Sequence, residues 1–182
     1  MQAAELKRVA TQAAAAVDEP QLRDAALVAF LLSTGCRISE ALQLDRADWN
    51  RERVMLRGKG DVERAAVITV LARAAVERYL AARTDDAPPL FLSYSNAQRG
   101  QRLSVRGAED VYARLGVAQQ VTKLHPHRFR HTAGTIVQEE LGDPRLTAEF
   151  LGHHGLRSVA GYTEVSRRRL DEAAGALRVR GL

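Results

Sequence analysis

Between Leu22 and Gly35 the chain carries Leu22, Ala25, Ala26, Ala29, Phe30 and Leu32 at helical spacing. They predict a helix buried on most of its surface, starting at Gln21 or Leu22 and ending at Thr34, with Gly35 as its left-handed C-terminal cap. A helix apolar on most faces needs other elements around it. Residues 3–17 are Ala-rich, with Leu6, Val9 and Ala13 at helical spacing, and Asp18, Glu19 and Pro20 read as a stop and restart. A short helix follows from Arg37 or Ile38 to Leu42. The period then changes. Residues 53–57 and the β-branched stretch 64–70 flank the turn Gly58-Lys59-Gly60-Asp61, predicting a β-hairpin with residues 44–49 as a third strand. Helices are expected again over 71–82, 105–115, 126–140, 144–151 and 166–177, with a turn near 157–161. The fold class is mainly α with a small three-stranded antiparallel β-sheet, in one domain spanning 1–182.

Composition narrows the classes. With 46% apolar and 27% charged residues, 182 positions suffice for one domain with a core. No run approaches the roughly 18 apolar residues of a membrane span, and no secretory signal opens the chain, so a soluble, cytoplasmic protein without a membrane partner is expected. Cys36 is the single cysteine, which excludes an internal disulfide and a thiol metal cluster.

The charge of +5 is unevenly placed. Residues 1–91 hold 13 basic and 13 acidic side chains, and residues 92–182 hold 14 and 9. Between Leu92 and His131 lie Arg99, Arg102, Arg106, Arg114, Lys123, Arg128 and Arg130 against Glu109 and Asp110. Such a concentration is the footprint of a polyanion site, and nucleic acid is the first candidate. Arg99, Arg102, Arg106, Lys123 and Arg128 are the candidate DNA-binding residues. Of the 27 basic residues 24 are Arg, which reflects nucleotide composition more simply than function, so Lys59 stands out more than any single Arg.

Four local sequences carry chemistry: Thr34-Gly35-Cys36-Arg37-Ile38-Ser39-Glu40, Gly58-Lys59-Gly60, His125-Pro126-His127-Arg128-Phe129-Arg130-His131, and Leu151-Gly152-His153-His154, with Tyr162 nine residues after His153. Arg, Lys, His-x-x-Arg, Leu-Gly-His and Tyr in this order resemble the catalytic domain of the tyrosine recombinases, or phage integrase family, over residues 25–165. The resemblance implies the DNA breaking-rejoining enzyme fold and the catalytic set Arg37, Lys59, His127, Arg130, His153 and Tyr162.

Residue chemistry agrees with that set. Metal-free cleavage of a phosphodiester needs charge stabilisation on the non-bridging oxygens, a nucleophile, and a proton for the leaving oxygen. Arg37 and Arg130 can supply the first through planar, permanently charged forks. His127 and Arg130 share a helix face, and Pro126 suits the first helical position, placing His127 in an N-terminal turn that favours anions. By resemblance Lys59 is the general acid, its pKa lowered by nearby guanidiniums. Tyr162 is the nucleophile forming a 3′-phosphotyrosyl link, His127 assists proton transfer, and His153 hydrogen-bonds a phosphate oxygen. No cofactor or metal is implied.

Other readings compete. Arg37 alone would be a surface partner of Glu40, Lys59 a turn residue, His131 structural, and His154 a rival to His153. Tyr79, Tyr94 and Tyr112 rival Tyr162, and Tyr79 reads as core. His127 and His131 at i, i+4 permit a metal-dependent phosphoesterase, although no acidic ligand lies beside them. An inactive DNA-binding fragment or regulator of the same fold is the non-enzyme alternative. The resemblance further implies double-stranded DNA as partner, a tetramer on DNA formed from free monomers, and a 166–182 segment that packs on its own domain or on a neighbouring protomer. The family's N-terminal core-binding domain is expected to be absent, since Arg37 arrives after one and a half helices.

Overall fold

The computed structural model describes residues 1–58 and 60–152. Its organising element is the buried helix α2, Glu19–Thr34. This helix begins before Gln21 because the Asp18 carboxylate accepts the Gln21 N–H at 2.8 Å and Pro20 occupies the first turn. It ends at Gly35 with φ +57°, whose N–H donates to Leu31 O. Three helices pack on it: α1 (Ala3–Ala14), α4 (Val70–Ala82) and α6 (Pro126–Leu141). Helix α1 stops short of the expected Val17, whose N–H turns instead to the Gln21 side chain at 3.1 Å. Helices α3 (Ile38–Gln43), α5 (Val105–Ala118) and α7 (Pro144–Leu151) complete the described helical set.

The hairpin pairs β1 (Arg53–Arg57) with β2 (Glu63–Val67), in the register Leu56↔Arg64 and Arg57↔Glu63. Its turn closes through Gly58 N–H to Val62 O at 2.9 Å, with Gly60 at φ +80°. Leu56 is fully buried, and the strand alternates exposed and buried positions along its length.

The third strand over 44–49 does not form, and the described sheet has two strands. Arg46–Asp48 is a 3-10 turn, and Asp45 makes one antiparallel bridge with Pro89. That bridge is made by Leu90 N–H to Leu44 O at 2.9 Å and Arg46 N–H to Pro88 O at 2.7 Å, and side chains bind the groups around it. Asp48 Oδ2 accepts the Asp45 N–H at 2.8 Å, and the Arg102 guanidinium occupies Leu42 O and Leu44 O at 2.8 and 3.0 Å.

Phe30, Phe91 and Tyr79 form the aromatic centre of the core, with Phe30 edge-on to Phe91 at 5.8 Å and Tyr79 stacked on Phe91 at 6.4 Å. Each of the two phenylalanines, fully buried, contributes about 2–3 kcal/mol of transfer free energy. Tyr112 and Phe129, 5.0 Å apart, tie α5 to α6. Among the described residues no helix is long and apolar enough to cross a membrane. The turn near 157–161 and the helix over 166–177 lie outside the described residues.

Candidate active site

Arg37 is the N-cap of α3, two residues beyond the cap position of α2. Its backbone N–H donates to Glu40 Oε2 at 3.0 Å and its Nη1 to Glu40 Oε1 at 2.8 Å. The Glu40 side chain is buried, at 5% exposed, whereas that of Arg37 is 45% exposed. The pairing with Glu40 and a role at the site are therefore compatible: one carboxylate fixes main chain and side chain of Arg37 and leaves much of the guanidinium open.

Arg130 comes to the same place from α6. Pro126 opens that helix, His127 lies exposed in its first turn, and Arg130 points inward one turn later. Arg130 Nη1 donates to Gly35 O at 2.7 Å, at the negative end of the α2 dipole. Nη2 is buried and has no hydrogen-bond partner among the described residues. Burial, with the positive charges of Arg37 and Arg64, lowers the pKa of Arg130, while Glu40 opposes the shift. A guanidinium stays charged under such pressure, so the region carries a concentrated positive field.

A third guanidinium belongs to this cluster. Arg64 of β2 places Nη2 3.6 Å from Glu40 Oε2 and 3.5 Å from Thr34 O, with its side chain only 14% exposed. Burial lowers its pKa as well. Neither Arg64 nor the buried Glu40 figures among the sequence-derived site residues. Glu40 is legible in the sequence only as the i, i+3 partner of Arg37, and the signal for Arg64 is contact across distant positions.

Two motif glycines are explained by close approach. A Cβ on Gly35 would lie 2.5 Å from Phe150 Cε1 of α7, and one on Gly152, at φ +68°, would lie 2.6 Å from Arg64 Nε. The turn leading into His153 is thereby seated on the arginine cluster.

Lys59, His153, His154 and Tyr162 lie outside the described residues. The rival tyrosines are placed: Tyr79 and Tyr112 are fully buried, and Tyr94 is half-buried with its hydroxyl donating to Tyr79 Oη at 3.4 Å. Burial raises the pKa of both Tyr94 and Tyr112, which disfavours the phenolate. His131 is exposed and its Nδ1 lies 3.4 Å from Thr135 Oγ1. Among the described residues no three His, Cys, Asp or Glu side chains are grouped to hold a metal. Burial pushes the Cys36 thiol up to about 11, which leaves it unreactive.

The five candidate DNA-binding residues divide. Arg99, Arg102, Arg106 and Lys123 are exposed and Arg128 is partly buried. Arg102 is engaged with Leu42 O, Leu44 O and Asp45, and Arg128 with Thr122 O at 2.7 Å and Glu5 at 2.8 Å.

A mainly helical domain with a small hairpin thus gathers three guanidiniums near one buried carboxylate, with a donor unpartnered among the described residues, an arrangement chemically suited to an anionic group. Residues 1–169 match the phage integrase family, and the chain belongs to that family. It is 36% identical to the tyrosine recombinase XerC of Corynebacterium glutamicum, over 88% of this chain and 53% of that protein. Among solved structures it resembles the XerA recombinase, with TM-score 0.72 and 26% identity over 93% of this chain and 63% of that one. It also resembles the XerH site-specific recombinase bound to palindromic difH substrate in a post-cleavage complex, with TM-score 0.69 and 26% identity over 93% of this chain and 50% of that one. The chain spans about half the length of the XerC and XerH proteins it matches.

Proposed function

We propose that this chain is the catalytic part of a site-specific DNA recombinase, which cleaves and rejoins strands through a covalent 3′-phosphotyrosyl intermediate. The observation that carries the reading is the buried Nη2 of Arg130, unpartnered among the described residues, beside the half-exposed guanidinium of Arg37. A buried donor of this kind calls for an acceptor, and a non-bridging phosphate oxygen supplies one with the opposite charge.

In this reading Arg37 and Arg130 hold the scissile phosphate and stabilise the charge that grows on its oxygens. His127, in the anion-favouring first turn of α6, takes the phenolic proton of Tyr162. The phenolate oxygen forms a bond to phosphorus while the bond from phosphorus to the 5′ oxygen breaks, and Lys59 protonates that leaving oxygen. His153 donates to a phosphate oxygen. Attack by a 5′ hydroxyl on the phosphotyrosine reverses the step on a new strand. One phosphodiester is exchanged for another of similar energy, so no ATP is consumed. The exposed cations Arg99, Arg106 and Lys123 contact the DNA backbone, and assembly on DNA is tetrameric, from free monomers in the cytoplasm.

The test is a nicked suicide DNA duplex incubated with the protein in EDTA. A denaturant-resistant protein–DNA adduct is expected, and Tyr162→Phe abolishes it. An adduct that forms only with added Mg²⁺ or zinc supports the metal-dependent alternative, and binding without an adduct on a cognate site supports the inactive one.

A further inference from the structure

Resting on that reading, we propose that Arg64 is a positioning residue. It holds the phosphate-clamping Arg37 and the turn ahead of His153 in a single register.

Arg64 faces three separate parts of the chain. It lies 3.5 Å from the carbonyl of Thr34 at the end of α2, and 3.6 Å from the Glu40 oxygen that also receives the Arg37 backbone N–H. Its stem lies against Gly152, where an added Cβ would meet Nε at 2.6 Å and Cδ at 2.9 Å. Gly152 directly precedes His153, and Arg64 follows Lys59 by five positions along the hairpin. One side chain thus spans from the hairpin to Glu40, which holds Arg37, and to the α7 turn.

Packing alone does not account for an arginine here. A cation buried beside Arg37 and Arg130 is opposed by both desolvation and like-charge repulsion, and an apolar side chain of similar volume would fill the space without either penalty. What arginine adds is directional donors at the end of a stem of fixed length. Nη2 reaches Thr34 O at 3.5 Å and pairs with the Glu40 carboxylate at 3.6 Å, while the stem sets how closely Gly152 approaches.

The experiment measures the single-turnover rate of adduct formation at saturating suicide DNA for Arg64→Ala, Arg64→Lys, Gly152→Ala and Arg64→Ala/Gly152→Ala. Arg64→Ala should slow cleavage by roughly tenfold to a hundredfold, the range of a misplacement near 1 Å, while DNA affinity changes less than about twofold. Arg64→Lys, which keeps the charge and a flexible stem, should recover part of the rate. Gly152→Ala should slow the parent more than it slows Arg64→Ala, because truncation removes the atoms that the new methyl would strike. Equal fold-losses in the two backgrounds, or a parental rate for Arg64→Ala, overturn the proposal. Should Arg64→Ala lose its cooperative thermal transition, Arg64→Lys decides, and a parental rate there is equally fatal. If the parent forms no Tyr162-dependent adduct, the catalytic reading fails instead. The coupling between Arg64 and Gly152 is then read from thermal midpoints of the parent, Arg64→Ala, Gly152→Ala and the double variant, where additivity overturns it.

Discussion

Leaving a guanidinium N–H buried without an acceptor costs about 1–3 kcal/mol, and Arg130 Nη2 is such a group. Among the described residues nothing accepts from it, and in the proposed reading its partner is a phosphate oxygen of the substrate. Arg130→Ala is therefore expected to reduce cleavage on the order of 10²-fold or more, as removal of a charge-stabilising donor does elsewhere. Arg130→Lys should not restore the rate, because an ammonium cannot bond Gly35 O and a phosphate oxygen with one planar fork. Suicide-substrate cleavage at saturating DNA checks both. Glu40→Ala makes a different prediction. It strips a buried carboxylate from two arginines and a backbone N–H, so unfolding free energy should fall by about 2–3 kcal/mol in urea titrations, along with cleavage. Arg37 and Arg130 were legible in the sequence because each sits in a local motif, after a helix-ending Gly or three residues beyond His127. Glu40 was visible only as an i, i+3 partner. Arg64 was not visible at all: among 24 arginines a single one carries no signal, and its contacts with Thr34 and Gly152 exist only once the chain is folded.

At the scale of elements, helices followed from apolar periodicity, Gly caps and Pro starts, while the missing strand shows where local pattern loses to tertiary contact. The residues over 44–49 could alternate as a strand, but only the Asp45–Pro89 bridge forms, with Leu90 N–H donating to Leu44 O and Arg46 N–H to Pro88 O, before the chain turns into the 3-10 segment Arg46–Asp48, and Arg102 from far along the chain also binds Leu44 O. Another arginine organises the loop after α4. Arg83 donates to Pro89 O and Ala87 O at 2.7 and 2.8 Å and grips Asp85 with Nε and Nη2, at 3.0 and 2.5 Å. These hydrogen bonds hold the Asp85 carboxyl at about 2, below its ordinary 3.8. A carboxyl depressed on folding stabilises the native state above its unfolded pKa and loses that contribution as pH falls through the folded one. The Asp85 contribution should accordingly be complete above about pH 4 and fade toward pH 2. Urea midpoints at pH 5 and pH 2.5 for the parent and Asp85→Asn test this: the gap between the two proteins should narrow at the lower pH. The α2–α7 contact gives a further expectation. Gly35→Ala places a methyl 2.5 Å from Phe150 Cε1 in a left-handed backbone, and thermal denaturation should report a loss of at least about 1–2 kcal/mol.

For the whole molecule, the excess of +5 lies in the second half of the chain, but charge counted along a sequence is not charge presented to DNA. Arg102, although itself exposed, is tied to two carbonyls and Asp45, and Arg128 to Thr122 O and Glu5, so both guanidiniums bind within the chain, while Arg99, Arg106 and Lys123 are exposed. The sequence could supply the segment but not this division, since an arginine that clamps carbonyls and one that meets solvent read alike. The two groups should separate by experiment. Each exposed cation that meets a phosphate contributes roughly 0.9 to the slope of log affinity against log salt. Replacing Arg99, Arg106 and Lys123 one at a time by Gln should lower that slope by about one per contacting residue, and leave the unfolding midpoint unchanged. Arg102→Ala should do the reverse, keeping the salt slope and losing stability, because it frees Leu42 O, Leu44 O and the Asp45 carboxylate together. Binding titrations between 50 and 200 mM salt, paired with urea unfolding of the same proteins, measure both quantities. A salt slope that falls with Arg102→Ala and holds with the other three would reverse the assignment of positive charge between the fold and DNA.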